Sequence, residues 1–354
     1  MITAVPFLEK KSKIIVGNEN NIDILLVYSY FSTEGRKGDV RMNVVILEPL
    51  GVEKEKLLKK GKEVLGDSVD LIYYDTRTED AKELIQRSKD ADVVVLSNFP
   101  YPKEVMEQCN HLKMVCVAFT GVDHVDVAYC KERGIMVCNC AGYSTVAVAD
   151  LVFGFAIDLM RNILPCNEVI RARGTKDGLV GCELAGKKFG VIGTGAIGMR
   201  TAKIADAFGC EVYGYSRTVK DVDYITYVDL KELLSICDIV SVHVPLNEET
   251  KGMIGAKEFS HMKKGSIFIN TSRGPVIDSQ ALADALYAGK IAGAGIDVFE
   301  MEPPVPGNHP LLQAPNVIAT PHVAFATKEA FEKRSVIVFD NIKKWMDGDP
   351  QNII

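Results

Sequence analysis

No apolar run in this chain is long enough to span a bilayer, which excludes an ordinary transmembrane helix. No charge of one sign dominates either. Forty-one Lys and Arg stand against 47 Asp and Glu, a formal charge of −6. So mild an imbalance argues against a nucleic-acid or membrane-surface partner. The first residues do not form a secretory signal, because Glu9, Lys10 and Lys11 interrupt a short apolar start and no A-x-A site follows. The nine cysteines have no metal-ligand spacing. Only Cys138 and Cys140 are close, with one residue between them and no second pair or histidine cluster nearby. They read as reduced thiols of a cytoplasmic protein, and no metal is expected. Internal repeats and low-complexity tracts are also missing.

What is present is enough chain, 354 residues, for two domains with separate cores. Residues 1–41 stand apart from the rest. They contain a strand-like piece over 22–30 and a polar run over 32–40, before Met42-Asn43-Val44-Val45-Ile46-Leu47 opens a domain. Lys37-Gly38-Asp39 can be encoded by AAAGGAGAT, which resembles a ribosome-binding sequence just ahead of Met42. We therefore expect residues 1–41 to be a leader outside the native protein. The intact mass of protein made from its own upstream DNA tests this.

From residue 43 short β-rich runs alternate with amphipathic stretches. Strands are expected over 44–47, 70–74, 92–96, 113–118 and 135–139, with helices over 53–65, 79–88, 103–109 and 125–132. This alternation predicts a parallel sheet with helices on both faces. A long apolar helix over 144–160 follows, then a looser stretch over 165–181. A second series places strands over 189–193, 211–215, 239–243, 266–270, 294–298 and 317–320, with helices over 197–208, 230–236, 257–262 and 279–286. A helix over 327–346 has apolar residues but no sheet of its own, so it is expected to return to the first domain. The expected fold is α/β, with two doubly wound parallel-sheet domains. A Rossmann domain over 145–324 is inserted into a discontinuous, flavodoxin-like substrate domain over 42–144 and 325–354.

The second series opens on Phe189-Gly190-Val191-Ile192-Gly193-Thr194-Gly195-Ala196-Ile197-Gly198. A buried strand running into G-x-G-x-x-G and a helix is the dinucleotide-binding fingerprint. Gly193 permits the tight turn, Gly195 lets a pyrophosphate approach the backbone, and Gly198 lets helix and strand pack closely. The helix start at Ala196 and Ile197 then faces phosphate with unpaired N–H groups.

Two later motifs lie at the C-terminal ends of expected strands, the edge where open α/β sheets bind ligands. One is Asn270-Thr271-Ser272-Arg273-Gly274-Pro275. The other is Asp297-Val298-Phe299-Glu300-Met301-Glu302-Pro303-Pro304, followed by Thr320-Pro321-His322. With Gly178 to Lys187, Ser241 to Leu246 and Thr250, they make residues 43–354 resemble the D-isomer-specific 2-hydroxyacid dehydrogenase family. That resemblance implies hydride transfer between a nicotinamide cofactor and a 2-keto acid/D-2-hydroxy acid pair. It implies a catalytic trio at Arg273, Glu302 and His322, and a homodimer joined through the nucleotide domains.

The residue types suit this chemistry. Arg273 offers a planar fork for the substrate carboxylate and polarises the ketone. His322 exchanges a proton with the substrate oxygen, while Glu302 orients the imidazole and stabilises its charged form. The resemblance also places Thr120 and Gly121 at the substrate carboxylate. Tyr143 and Phe325 resemble the D-lactate dehydrogenase branch, with Tyr143 over the substrate and interdomain packing the alternative for both rings. Val244, Pro245, Thr250, Thr271, Ser272 and Asp297 are placed around the cofactor. The second strand of an NAD site usually ends in an acid that holds the ribose, but here Ser216 and Arg217 take that place. NADP(H) is therefore favoured, with NAD(H) the alternative.

A nucleotide-sensing regulator, like the C-terminal-binding-protein corepressors on this fold, is the other functional class. The lack of a basic patch or partner-binding tail counts against it. Glu302 also separates the chain from formate dehydrogenases, which pair the histidine with glutamine. The 32 residues after His322 leave no room for the regulatory domain of long phosphoglycerate dehydrogenases.

Overall fold

The computed structural model describes residues 41–301 and 304–354. Residues 1–40 of the expected leader, with its expected strand over 22–30, and Glu302 with Pro303 lie outside the described residues.

The first series is β1 (Met42–Ile46), α1 (Lys54–Leu65), β2 (Val69–Tyr73), α2 (Ala81–Ser88), β3 (Val93–Leu96), α3 (Lys103–Met106), β4 (Met114–Val117), α4 (Val127–Arg133) and β5 (Met136–Asn139). These strands form a parallel sheet in the order β2-β1-β3-β4-β5. β3 and β4 are buried along their whole length, as strands covered on both faces must be. The helix starts are legible: Asp80, Asp126 and Asp229 each accept a hydrogen bond from the backbone N–H three residues on.

α5 (Thr145–Arg161) leads out of this sheet and α6 (Ile163–Arg171) follows directly. α6 corrects the expected loose stretch beginning at Pro165. Pro165 is the third residue of that helix, where its missing N–H has no intrahelical partner to lose. Asn162 separates the two helices in the left-handed region, at φ 52°.

The second series is β6 (Lys188–Ile192), α7 (Ala196–Ala207), β7 (Glu211–Tyr215), β8 (Thr226–Tyr227), α8 (Leu230–Ile236), β9 (Ile239–Val242), α9 (Ala256–His261), β10 (Ser266–Asn270), α10 (Ser279–Tyr287), β11 (Ile291–Ile296), α11 (Pro310–Gln313) and β12 (Val317–Ala319). They give a seven-stranded parallel sheet, β12-β11-β10-β9-β6-β7-β8. β8 and α11 are short additions to the expected set. Strand order across the sheet reverses between β6 and β9, the switch point where such sheets open a crevice. α5 lies on this sheet. Gly295 in β11 leaves room for it, because a Cβ there would fall 2.6 Å from the Phe155 side chain.

α12 (Lys328–Met346) packs on α1 and β4. Ala330, Val338, Phe339 and Ile342 join the core of the first sheet. Val336, apolar in the same helix, faces outward. Arg334 is buried in the same helix, donating to the carbonyls of Leu50 (2.6 Å) and Ala118 (3.2 Å). These contacts tie α12 to the loops after β1 and β4. The architecture is thus two parallel-sheet α/β domains, with the later sheet inserted between parts of the first. Among the described residues no helix is long and apolar enough to cross a membrane.

Candidate active site

A cleft of about 560 Å³ opens between the two sheets. Apart from Ile354, its lining comes from segments that follow parallel strands: 119–127 after β4, 141–148 after β5, 195–197 after β6, 243–246 after β9, 271–273 after β10, Asp297 after β11, and 322–325 after β12. Thr120, Gly121, Tyr143, Gly195, Ala196, Ile197, Val244, Pro245, Thr271, Ser272, Arg273, Asp297 and His322 are all brought to it.

The glycines of the turn differ in what surrounds them. Gly193 sits at φ 94°, and a Cβ there would lie 2.9 Å from the His243 backbone. A Cβ on Gly198 would fall 1.9 Å from the Gly193 carbonyl oxygen, so α7 can approach β6 only without one. A Cβ on Gly195 would meet nothing within 4 Å. The open face therefore lies at the start of a 12-residue helix, beside the switch point, and suits a diphosphate.

Arg273 spans the cleft. Asn270, fully buried at the end of β10, accepts from Ser272 N (3.0 Å) and donates to the Arg273 carbonyl (3.0 Å), shaping the turn. The guanidinium donates through Nη1 to Ser272 O (2.8 Å) and through Nε to Asp123 Oδ1 (3.2 Å). Its Nη2 lies 1.8 Å from where a Gly121 Cβ would be. Gly121 thus admits the arginine from the opposite sheet, and Asp123 anchors it. Asp123 carries no motif of its own, and sequence reasoning missed it.

His322 has the left-handed backbone φ of 56°, a conformation that histidine adopts more readily than most residues. Asp297 enforces it. Its carbonyl accepts from His322 N (2.8 Å), and its buried carboxylate accepts from Thr320 Oγ1 (2.5 Å), Val323 N (2.8 Å) and Ala324 N (2.9 Å). Burial raises the Asp297 carboxyl above the ordinary range, and the three hydrogen bonds partly oppose this. Asp297 lines the cleft, but its carboxylate is committed to the His322 turn. The His322 ring stands edge-on to Phe119 (5.7 Å) and Phe325 (5.5 Å).

Tyr143 is 2% exposed, and its hydroxyl has no hydrogen-bond partner within the described residues. Burial pushes its pKa up, against the pull of Arg334 beneath the ring. A buried donor left without a partner is costly, and this one stands in the cleft wall.

Glu300 and His309, on either side of Glu302 in sequence, are joined to each other. Glu300 Oε2 meets His309 Nε2 at 2.9 Å, and His309 Nδ1 accepts from Leu311 N (3.3 Å). Burial alone would raise the Glu300 carboxyl, but hydrogen bonds from Ser279 and His309 bring it below its ordinary value. His309 is outside the cleft lining and braces Glu300 and the start of α11.

Beyond the turn glycines Gly193 and Gly198, the expected cofactor residues Ser216, Arg217 and Thr250 are not part of the cleft lining. Thr250 donates to Pro245 O (2.5 Å) and accepts from Asn247 N, closing the loop after β9. Ser216 and Arg217 follow β7, where Arg217 pairs with Glu249 at 3.0 Å, both side chains largely exposed. Among the described residues no group of three His, Cys, Asp or Glu is placed to hold a metal.

The profile described as "D-isomer specific 2-hydroxyacid dehydrogenase, NAD binding domain" matches residues 153–324. A hydroxypyruvate reductase of Blautia hydrogenotrophica is 36% identical over 323 residues, covering 88% of this chain and 99% of that protein. Among solved structures, an acyclic imino acid reductase (Bsp5) in complex with NADPH and D-Arg superposes with a TM-score of 0.81 at 31% identity, over 88% of this chain and 100% of that one. A D-lactate dehydrogenase from Aquifex aeolicus, complexed with NAD and lactic acid, gives 0.75 at 30% identity over 87% and 96%. With its paired sheets and its glycine turn at the switch point, the chain belongs to the D-isomer-specific 2-hydroxyacid dehydrogenase family, NAD(P)-dependent oxidoreductases of 2-keto and 2-hydroxy acids.

Proposed function

We propose that this protein interconverts a 2-keto acid and its D-2-hydroxy acid in the cleft between the sheets, with Arg273, Glu302 and His322 as the catalytic residues. The observation that carries the reading is Arg273, which reaches from one sheet to Gly121 on the other in the same cleft as His322. A bound nicotinamide cofactor supplies the hydride. Gly193, Gly195, Ala196, Ile197 and Gly198 hold its diphosphate. Val244, Pro245, Thr271, Ser272 and Asp297 frame the rest, and Thr250 acts through the loop it closes.

The free end of the Arg273 guanidinium and the Thr120–Gly121 backbone bind the substrate carboxylate. Tyr143 donates its unused hydroxyl to a substrate oxygen. His322 gives a proton to the oxygen of the reduced carbonyl, or takes it in reverse. Glu302, from its place in the motif, holds the imidazole for that exchange. Arg217 favours NADP(H), since its guanidinium can leave an exposed ion pair with Glu249 for a 2′-phosphate. NAD(H) is the alternative.

Initial rates across a panel of 2-keto acids, with NADPH and NADH side by side, test the reading. Oxidation of the cofactor with at least one acid is expected, and none across the panel sinks it. Arg273→Ala should destroy keto-acid reduction, and His322→Ala should abolish turnover while cofactor still binds.

The same reading includes a homodimer in the cytoplasm. Ile163, Leu164, Ile170 and Val180 are exposed on α6 and the segment after it. Leu164 and Val180 border a second hollow of about 410 Å³ at the opposite ends of β9–β12, and a second copy would cover them. Light scattering on the purified protein is expected to give twice the chain mass. All nine cysteines are free thiols, seven of them buried, which suits a reducing compartment.

A further inference from the structure

Residues 352–354 return to the cleft. Asn352 O accepts from Asn139 N (3.0 Å) and Ile354 N donates to Val137 O (3.0 Å), so Ile353 pairs antiparallel with Cys138 on the edge of a parallel sheet. This pairing brings Ile354 into the cleft lining with Tyr143, Phe119 and Phe325. Three asparagines secure it. Asn352 Nδ2 donates to Asn341 Oδ1 (2.9 Å), Asn341 Nδ2 to Asn139 O (2.8 Å), and Asn139 Nδ2 to Thr120 O (2.7 Å). Asn341 is fully buried in α12 and Asn139 is nearly so. A buried carboxamide that loses its partner is costly, so the chain of contacts holds one arrangement. It links the loop proposed to bind the substrate carboxylate to the segment that presents Ile354. The Ile354 side chain belongs to none of the hydrophobic cores and is 51% exposed. An apolar group in the cleft is what would cover it.

We propose that Ile354 determines substrate specificity, limiting the size of the 2-keto acid side chain, and that Asn352 and Asn341 are positioning residues that hold it there. This rests on the reading of the cleft as the 2-keto acid site. A backbone-paired residue cannot swing aside, so its side-chain volume is felt directly by the ligand. A methylene in a hydrophobic pocket changes selectivity by about tenfold or more.

The test compares kcat/KM for pyruvate and for 4-methyl-2-oxopentanoate in the full chain and in Ile354→Ala, Ile354→Phe and Asn352→Ala. Ile354→Ala should move the ratio toward the larger acid by about tenfold, and Ile354→Phe should move it the other way. Asn352→Ala should move it in the same direction as Ile354→Ala, through KM more than kcat, with NADPH affinity unchanged. Ratios within twofold of the unsubstituted protein in both Ile354 variants overturn the proposal while leaving the proposed activity intact. No turnover of any 2-keto acid by the unsubstituted protein overturns both.

Discussion

Arg273 and Asp123 come from different sheets, 150 positions apart, and meet at 3.2 Å. The carboxylate takes the Nε edge and leaves the far end of the guanidinium to face Gly121. Asp123→Asn keeps the shape and removes the charge-assisted bond. It should raise KM for the keto acid by a few-fold to about tenfold, the discount reflecting the aspartate's partial exposure. Cofactor affinity should stay unchanged. A lower KM would mean that Asp123 competes with substrate for the arginine. At the other end of the site, Arg217→Ala should cost about tenfold or more in KM for NADPH and little for NADH, in line with loss of a charge-assisted contact to phosphate. An equal effect on both cofactors would remove the case for NADP(H).

The strand–turn–helix at β6 and α7 separates packing glycines from binding glycines. Gly198→Ala puts a methyl 1.9 Å from a backbone oxygen, which no rotamer change relieves. A loss of about 1–3 kcal/mol or more is expected, seen as a lower melting temperature. Gly195→Ala meets no atom within 4 Å and keeps a negative φ of −73°. It should melt like the parent yet bind cofactor weakly, because the methyl occupies the phosphate's approach. If Gly195→Ala also lowers the melting temperature, the two roles are not separable. α6 carries a different lesson. Proline near a helix start reads as a break when only composition is considered, but position within the first turn makes it harmless.

Two imidazoles connect folding of the whole chain to pH. Burial lowers His124 to about 4 and His243 to about 3, while an unfolded histidine titrates near 6.5. Between those values the unfolded chain holds more protons than the folded one, so stability falls as pH falls. The loss begins near pH 6.5, and by pH 4 it should reach a few kcal/mol for the pair. Melting temperature measured from pH 7 to pH 4 should decline over that window, and His124→Asn with His243→Asn should flatten the decline. A flat profile in the parent would show that neither ring is held neutral.

Most strands, the long helices and the glycine turn were legible in the chain, because each depends on local periodicity and on residues adjacent in sequence. The same is true of the return of α12, whose apolar face had no sheet of its own and found its partner at α1 and β4. Arg273, His322 and the glycines stood in recognisable motifs. Asp123 did not, nor did the Asn352–Asn341–Asn139 chain or the commitment of Asp297 to the His322 turn. Those contacts join residues from 11 to 202 positions apart, and no local pattern marks them. Side-chain periodicity announces which face is buried. Which polar atoms meet across the cleft is settled only when two sheets, built from distant stretches, bring their C-terminal edges together and each buried donor must find an acceptor.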